Sequence, residues 1–314
     1  MTPIVEVAAA VMLRSGGQEF LLAQRPEGKV YAGYWEFPGG KVESEETIRQ
    51  ALVRELHEEL GITVTDCSPW LTRVFTYPHA TVRLNFWRVT AWQGEIGITA
   101  PIEHSDIAWQ RCGMAASVTP ILPANDPILK ALALPTCMAI TQSELVGQET
   151  ELARLARALE GGLRLVQIRD KNLPRPERLA FARAATRLAH QSGAIVVLND
   201  DAKMAKEVGA DGVHLSSAAL SALSTRPDFT WVGASCHCAE EITRAGALGL
   251  DYALLGPVAK TPTHPEQSGL GWAEFSQRIA GNTLPVFALG GMTKGHLAEA
   301  QQQGAHGIAL MRGW

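Results

Sequence analysis

Glu55, Glu58 and Glu59 stand together behind Arg54 and downstream of Gly40. On a helix, at 100° per residue, the three carboxylates fall within an arc of roughly 100°, while Leu52, Val53, Leu56 and Leu60 fill the adjoining arc. One side packs and the neighbouring side is acidic. Carboxylates this close repel one another, and a hard divalent cation removes that cost by taking their oxygens as ligands. Mg²⁺ or Mn²⁺ is the natural partner. A surface helix can also carry glutamates for solubility alone, so the ends and flanks of the segment have to decide.

Thr47-Ile-Arg-Gln50 offers a capping box and Gly61 a left-handed C-terminal residue, which predicts a helix over 48–60. Strand-like runs at 5–13, 20–24, 71–77 and 82–92 surround it without βαβ spacing, so residues 1–131 read as a mixed α+β domain. A short Pro-terminated linker, 132–136, follows. Buried-strand patterns then recur at 137–140, 164–168, 195–198, 212–215, 231–235, 252–255, 286–289 and 307–311. Helical stretches such as 149–160, 175–190, 239–247 and 294–302 alternate with them, which is the α/β pattern of a TIM-type (β/α)8 barrel over 137–314. The pattern leaves no room for a last outer helix, and another surface is expected to cover that place.

A chain of 314 residues with 46% hydrophobic composition suits two independent cores. A net charge of −4 gives no broad cationic surface to hold a nucleic-acid polymer, although small anions can still bind locally. The five cysteines are odd in number and contain no C-x-x-C pair, which argues against a disulfide framework or a four-thiolate zinc site and fits a reducing cytoplasm. Read as strand, Cys236-His237-Cys238 sets both thiols on one face and the imidazole on the other, against a shared zinc ion. No apolar run reaches the ~18 residues of a membrane span. Oligomeric state is left open.

Gly40-x5-Glu46-x7-Arg54-Glu55-Leu56-x-Glu58-Glu59-x-Gly61-Ile62 fills every fixed position of the Nudix signature, and residues 1–131 resemble that family. The resemblance narrows to the MutT type through Gln24-Arg25-Pro26, Trp35-Glu36-Phe37-Pro38-Gly39-Gly40 and Pro123-Ala124-Asn125-Asp126-Pro127. It implies a Mg²⁺-dependent (or Mn²⁺-dependent) diphosphatase that cleaves a nucleoside triphosphate, 8-oxo-dGTP above all, to the monophosphate and pyrophosphate, in nucleotide-pool sanitation that serves DNA replication and repair. It also implies that Glu55, Glu58, Glu59 and the Gly40 carbonyl hold the metal, that Arg54 and Glu46 brace the carboxylates, and that Glu55 acts as base. Glu103, six residues before Trp109, resembles a further metal glutamate of MutT-like proteins. Asn125 matches the residue that contacts the purine, Phe37 offers an aromatic surface, and Arg25 can reach phosphate or base. Taken alone, Asn125 is also a good turn former and Phe37 a good core residue. His79 and His104 have weaker cases.

The second half resembles thiamin phosphate synthase and its TenI-like relatives. Val166-Gln167-Ile-Arg169-Asp-Lys171, Leu198-Asn199-Asp200, Gly212-Val213-His214, Gly233-Ala-Ser235-Cys-His237, Gly256-Pro257 and Leu289-Gly290-Gly291 occur in that family's order, at strand ends where a parallel barrel binds ligands. The resemblance implies that Arg169, Lys171 and Asn199 contact pyrophosphate, that Asp200 holds Mg²⁺, and that Gln167, Ser235, Thr261 and Thr263 belong to the ligand site. Gly290 and Gly291 would cradle phosphate with backbone N–H groups. Ala219 stands where synthases place a second metal aspartate, His264 where they place lysine, and Met311-Arg312 where they place Ile-Ser. The expectation is a domain short of full synthase activity that binds a thiamin-related phosphate, or a tautomerase module that uses His237 to move a proton. The alternative for the first domain is hydrolysis of a thiamin-pathway pyrophosphate, with the barrel as either a thiazole or thiamin phosphate-binding module or a tautomerase module.

Overall fold

The structure is a computed structural model that describes residues 4–260 and 268–314. It divides between Leu134 and Pro135 into two compact units.

In the first unit, Thr47 caps a helix α1 (Ile48–Leu60) in the predicted manner: its Oγ1 accepts from the Gln50 N–H, and the Gln50 side chain accepts from the Thr47 N–H at 2.8 Å. Gly61 ends the helix at φ 69°, with its N–H on the His57 carbonyl. Around α1 lie β1 (Val5–Arg14), β2 (Glu19–Gln24), β3 (Trp35–Glu36), β4 (Gly39–Lys41), β5 (Thr63–Thr76), β6 (Thr81–Gln93) and β7 (Asp106–Arg111), with α2 (Asp126–Leu132) closing the unit. The strands run in the order β3-β2-β1-β6-β5, with β4 paired to β1 and β7 to β2. Among the described residues of this unit, β1 and β6 are the pair of strands that run parallel. Alternation along β1 splits the core in two. Ala8, Ala10 and Met12 face the cluster under α1 with Leu52, Leu56 and Leu60, while Ala9 and Val11 face Phe20, Trp35, Phe37, Phe86 and Ile128.

The sequence reading started the fifth strand at residue 71, whereas β5 begins at Thr63 and carries register shifts between Val64 and Leu71 that blur its alternation. It also missed β3, β4 and β7. The first two are very short, and all three owe their strand character to partners distant in sequence, β2 and β1.

The second unit is a closed parallel barrel among the described residues: β8 (Cys137–Ile140), β9 (Leu165–Ile168), β10 (Ile195–Asn199), β11 (Gly212–Leu215), β12 (Trp231–Cys236), β13 (Tyr252–Leu255), β14 (Val286–Leu289) and β15 (Gly307–Leu310). Pairing of β15 with β8 closes the ring. Outside it run α3 (Ser143–Val146), α4 (Gln148–Glu160), α5 (Arg175–Gln191), α6 (Ala202–Val208), α7 (Ser217–Ala222), α8 (Ala239–Ala247), α9 (Gly271–Ile279) and α10 (Leu297–Gln302). Residues 311–314 form no helix; Trp314 packs on the barrel core, with the Arg154 guanidinium 4.8 Å over its ring. No helix among the described residues is long and apolar enough to cross a membrane.

Thr47→Ala removes the Oγ1 arm of the capping box and leaves the bond from the residue-47 N–H to Gln50. It should cost the first unit about 1 kcal/mol in urea unfolding, and an unchanged unfolding midpoint would show that the cap is not what defines the start of α1.

Candidate functional site

The acidic face of α1 meets the loop-side end of β4. A Cβ on Gly40 would lie 2.2 Å from Glu55 Oε1, so only glycine lets that carboxylate lie against the strand backbone. Gly39 is held more tightly still, at φ 136° with a Cβ that would fall 2.1 Å from the Ala8 carbonyl oxygen of the neighbouring backbone. Arg54 ties the acidic groups together. Its Nη2 and Nε bind Glu46 at 2.7 and 3.2 Å, its Nη2 also binds the Lys41 carbonyl at 3.1 Å, and its Nη1 reaches Glu55 at 3.0 Å and Glu58 at 3.3 Å. A planar guanidinium with five N–H donors suits this forked bracing. The Arg54 bond holds the Glu46 carboxyl below its usual range. Burial pushes Glu55 up, Glu59 and Glu58 push the same way, and Arg54 opposes them.

Glu59 is buried. Its Oε2 accepts from the Gly39 N–H at 3.1 Å and lies 3.0 Å from His104 Nε2. Glu58 is half exposed and turned to Arg54. Among the described residues no three His, Cys, Asp or Glu side chains already converge as a metal-holding group. The donor set nonetheless fits a hard cation: three carboxylates within about one helical turn, one of them, Glu55, lying against the Gly40 backbone where a Cβ would collide with it.

Several sequence expectations shift here. Glu103 does not join the α1 carboxylates but pairs with the Lys29 ammonium. Phe37 is 5% exposed and packs against Phe20 and Phe86 with ring centroids 5.8 and 5.7 Å away, so it is a core residue and not a free stacking surface. Arg25 spends its guanidinium inside the protein, with Nε on the Val30 carbonyl at 2.8 Å and Nη1 on Glu36 at 2.7 Å. Asn125 ends a 3₁₀ turn (Pro123–Asn125), is 4% exposed, and has a buried Nδ2 without a hydrogen-bond partner. His104 earns a larger part than its sequence context suggested. Nothing in the local pattern marks it, because its partner lies 45 positions away on α1.

In the barrel the motif residues meet at the strand ends. Gln167 Nε2 donates to Asn199 Oδ1 at 3.0 Å, Asn199 Nδ2 donates to Asp200 Oδ2 at 2.9 Å, and Lys171 Nζ stands 3.6 Å from the same carboxylate. Asp200 adopts φ 54° and accepts from the Ser216 N–H at 2.6 Å. Gln167 Oε1 is buried without a partner. The Arg169 N–H donates to Thr141 Oγ1 at 2.9 Å, and Gly290 and Gly291 follow β14 at positive φ. Thr261, Thr263 and His264 lie outside the described residues. Ala219 sits in the first turn of α7, where its N–H donates to Ser216 Oγ at 3.3 Å.

His237 and Cys238 are not in a strand: β12 ends at Cys236 and both lie in the bend before α8. The two-faced strand argument against zinc therefore fails in its premise. The His237 N–H donates to Glu241 at 2.6 Å, and its carbonyl accepts from Arg278.

Two groups inside the motifs were passed over. Asp170, between Arg169 and Lys171, is buried and accepts from Thr141 and Ser143 hydroxyls, both at 2.7 Å. His214 is fully buried, with Nε2 2.9 Å from Ser235 Oγ and Nδ1 3.1 Å from the Tyr252 hydroxyl. A polar residue followed by burial on all sides is visible in neither case until the ring of strands closes.

Burial pushes His214 down to about 3 against an ordinary 6.5, so the folded barrel prefers the neutral ring. The stabilisation is complete above pH 6.5 and is lost as pH falls toward 3. His214→Gln, which cannot titrate, should flatten the acid limb of the melting-temperature profile between pH 6.5 and 4; an unchanged slope counts against this residue as the source. Gly40→Ala should displace the Glu55 carboxylate and lower any hydrolase activity of this unit by about 100-fold while the fold, read by circular dichroism, persists; unchanged activity would show that the close approach is dispensable.

Residues 137–314 match the family described as thiamine monophosphate synthase, and residues 4–132 match the NUDIX domain. A putative thiamine-phosphate synthase of Geobacter sulfurreducens is 37% identical over 55% of this chain and 83% of that protein. The thiamine-phosphate synthase of Methanoculleus marisnigri is 35% identical over 55% of this chain and 84% of that protein. A solved MutT structure, from work on Aliivibrio salmonicida and Vibrio cholerae, is 33% identical over 42% of this chain and 98% of that chain, with a TM-score of 0.35. The chain therefore belongs to the thiamine monophosphate synthase family through its barrel, to which an N-terminal NUDIX domain is fused.

Proposed function

We propose that the NUDIX unit hydrolyses nucleoside triphosphates to the monophosphate and pyrophosphate, with 8-oxo-dGTP as preferred substrate, and so serves nucleotide-pool sanitation. Glu55, Glu58, Glu59 and Gly40 would hold Mg²⁺ or Mn²⁺. When bound, the cation neutralises phosphate charge and makes water a better nucleophile. Glu55 is suited to take up a proton, because burial raises its affinity for one. Arg54 keeps the carboxylates in place through its bonds to Glu46, Glu55 and Glu58.

Asn125 is the observation that supports a base-reading role. A buried amide nitrogen without a partner costs about 1–3 kcal/mol, and a purine edge that presents a carbonyl acceptor would satisfy it. Arg25, already engaged by Glu36, is left as a brace for that carboxylate instead of a phosphate contact. In the barrel, the Gln167-Asn199-Asp200-Lys171 array and Gln167 Oε1 support binding of a thiamin-related phosphate. The substitutions at Ala219 and Arg312 support a barrel short of full synthase activity.

A second reading has one observation in its favour: the NUDIX unit is joined to a barrel of the thiamine monophosphate synthase family, so its substrate would be a thiamin-pathway pyrophosphate. Mg²⁺-dependent kcat/KM on 8-oxo-dGTP, dGTP, thiamin pyrophosphate and hydroxymethylpyrimidine pyrophosphate separates the two. We expect 8-oxo-dGTP to lead, Glu55→Gln to lower every rate at least about 100-fold, and Asn125→Ala to lower kcat/KM about tenfold for 8-oxo-dGTP alone. Preference for either pyrimidine or thiamin compound would replace the first reading with the second, and equally feeble turnover of all four would sink both.

A further inference from the structure

We infer that His104 is a positioning residue for the α1 carboxylates, fixing Glu59 Oε2 so that Oε1 is the oxygen offered to the divalent cation. This rests on the metal-dependent reading of α1 given above.

The contact is buried and short. His104 Nε2 lies 3.0 Å from Glu59 Oε2, and both side chains are 3% exposed. The Gly39 N–H reaches the same oxygen at 3.1 Å. Two N–H donors on Oε2 leave Oε1 as the free acceptor of this carboxylate. The tautomer follows from the pairing: Nε2 must carry a proton, since its lone pair would otherwise face the lone pairs of Oε2.

The other ring nitrogen strengthens the case. His104 Nδ1 is buried and has no partner, a cost that leucine or phenylalanine at this position would avoid. What the imidazole supplies in return is its one bond to Glu59. The surrounding loop is tied to the same end of the helix. The Gly97 N–H binds the Leu60 carbonyl at 3.2 Å, the Thr99 N–H binds the Glu59 carbonyl at 3.0 Å, and Thr99 Oγ1 binds the Glu58 carbonyl at 2.6 Å. The N–H groups of Glu103 and His104 then close back on the Ala100 carbonyl at 2.9 and 3.2 Å. The loop therefore satisfies last-turn carbonyls of α1 and carries the imidazole to the side chain of the same turn, so helix end and carboxylate are registered together.

Groups that orient a metal carboxylate typically control affinity by 10–100-fold. The test is Mn²⁺ binding to the full chain, followed by the electron paramagnetic resonance signal of free Mn²⁺, with thermal unfolding alongside. His104→Leu fills the space without a donor and should weaken Mn²⁺ about tenfold or more. His104→Gln restores an N–H near the Nε2 position and should stay within about threefold of the original chain. A purely structural histidine predicts the opposite: lower melting temperatures with unaltered Mn²⁺ affinity, and that result overturns the inference. So does a folded His104→Gln that binds as weakly as His104→Leu. If His104→Leu does not fold, His104→Gln is judged against the original chain: Mn²⁺ binding within about threefold is expected, and a folded variant weakened about tenfold or more overturns the inference. Glu59→Gln is the separate control. Undiminished Mn²⁺ binding in that variant would remove the metal reading of α1 itself, whatever the His104 variants do.

Discussion

Crowding of like charge on one face of α1 is the constraint to which the first unit answers. Glu55, Glu58 and Glu59 stand within about one turn, and burial of Glu55 and Glu59 removes the water that would otherwise screen them. Two devices meet them. Arg54 reaches Glu55 and Glu58 and is itself anchored by Glu46 and the Lys41 carbonyl, while Glu59 receives the Gly39 N–H and His104. The apolar side of the same helix supplies the opposing stability, with Leu52, Leu56 and Leu60 fully buried over the small Ala8 and Ala10 of β1. Those alanines and the two glycines of β4 bring helix and sheet close enough for the carboxylates to rest on backbone.

The barrel solves a different problem. Its interior buries hydrogen-bonding groups that water cannot reach, and a chain of contacts satisfies most of them: His214 between Ser235 and Tyr252, Asp170 between two hydroxyls, and Asn199 between Gln167 and Asp200. Paired in this way, polar side chains stiffen the mouth instead of destabilising it. Gln167 Oε1, left over, is the kind of acceptor that a ligand can complete.

Much of this was legible without coordinates. The spacing of glutamates and leucines placed α1, Thr47 and Gly61 marked its ends, and Cys137–Ile140, Tyr252–Leu255 and Val286–Leu289 stood out as strands through unbroken apolar runs between turn residues. These are local signals, since helix caps and short buried strands depend on neighbours a few positions away. The resemblance to the Nudix signature implied that Arg54 and Glu46 brace the carboxylates; the contacts that do so, Arg54 to Glu46, Glu55 and Glu58, are seen only in the structure.

Contacts between distant segments were decided by the fold alone. Phe37 reads as an aromatic surface until Phe20 and Phe86 close over it, and Glu103 as a free carboxylate until Lys29 arrives from a loop 74 positions earlier. The strand read at 231–235 ends at Cys236, where the chain turns into α8, so treating Cys236-His237-Cys238 as strand overran the strand's own bound. His104 and His214 gain their partners only when the loop after β6 folds onto α1 and when the strand ring closes. Sequence fixes which groups are available and how each short segment folds; tertiary packing decides which of them lose water, and loss of water is what turns a polar side chain into a constraint.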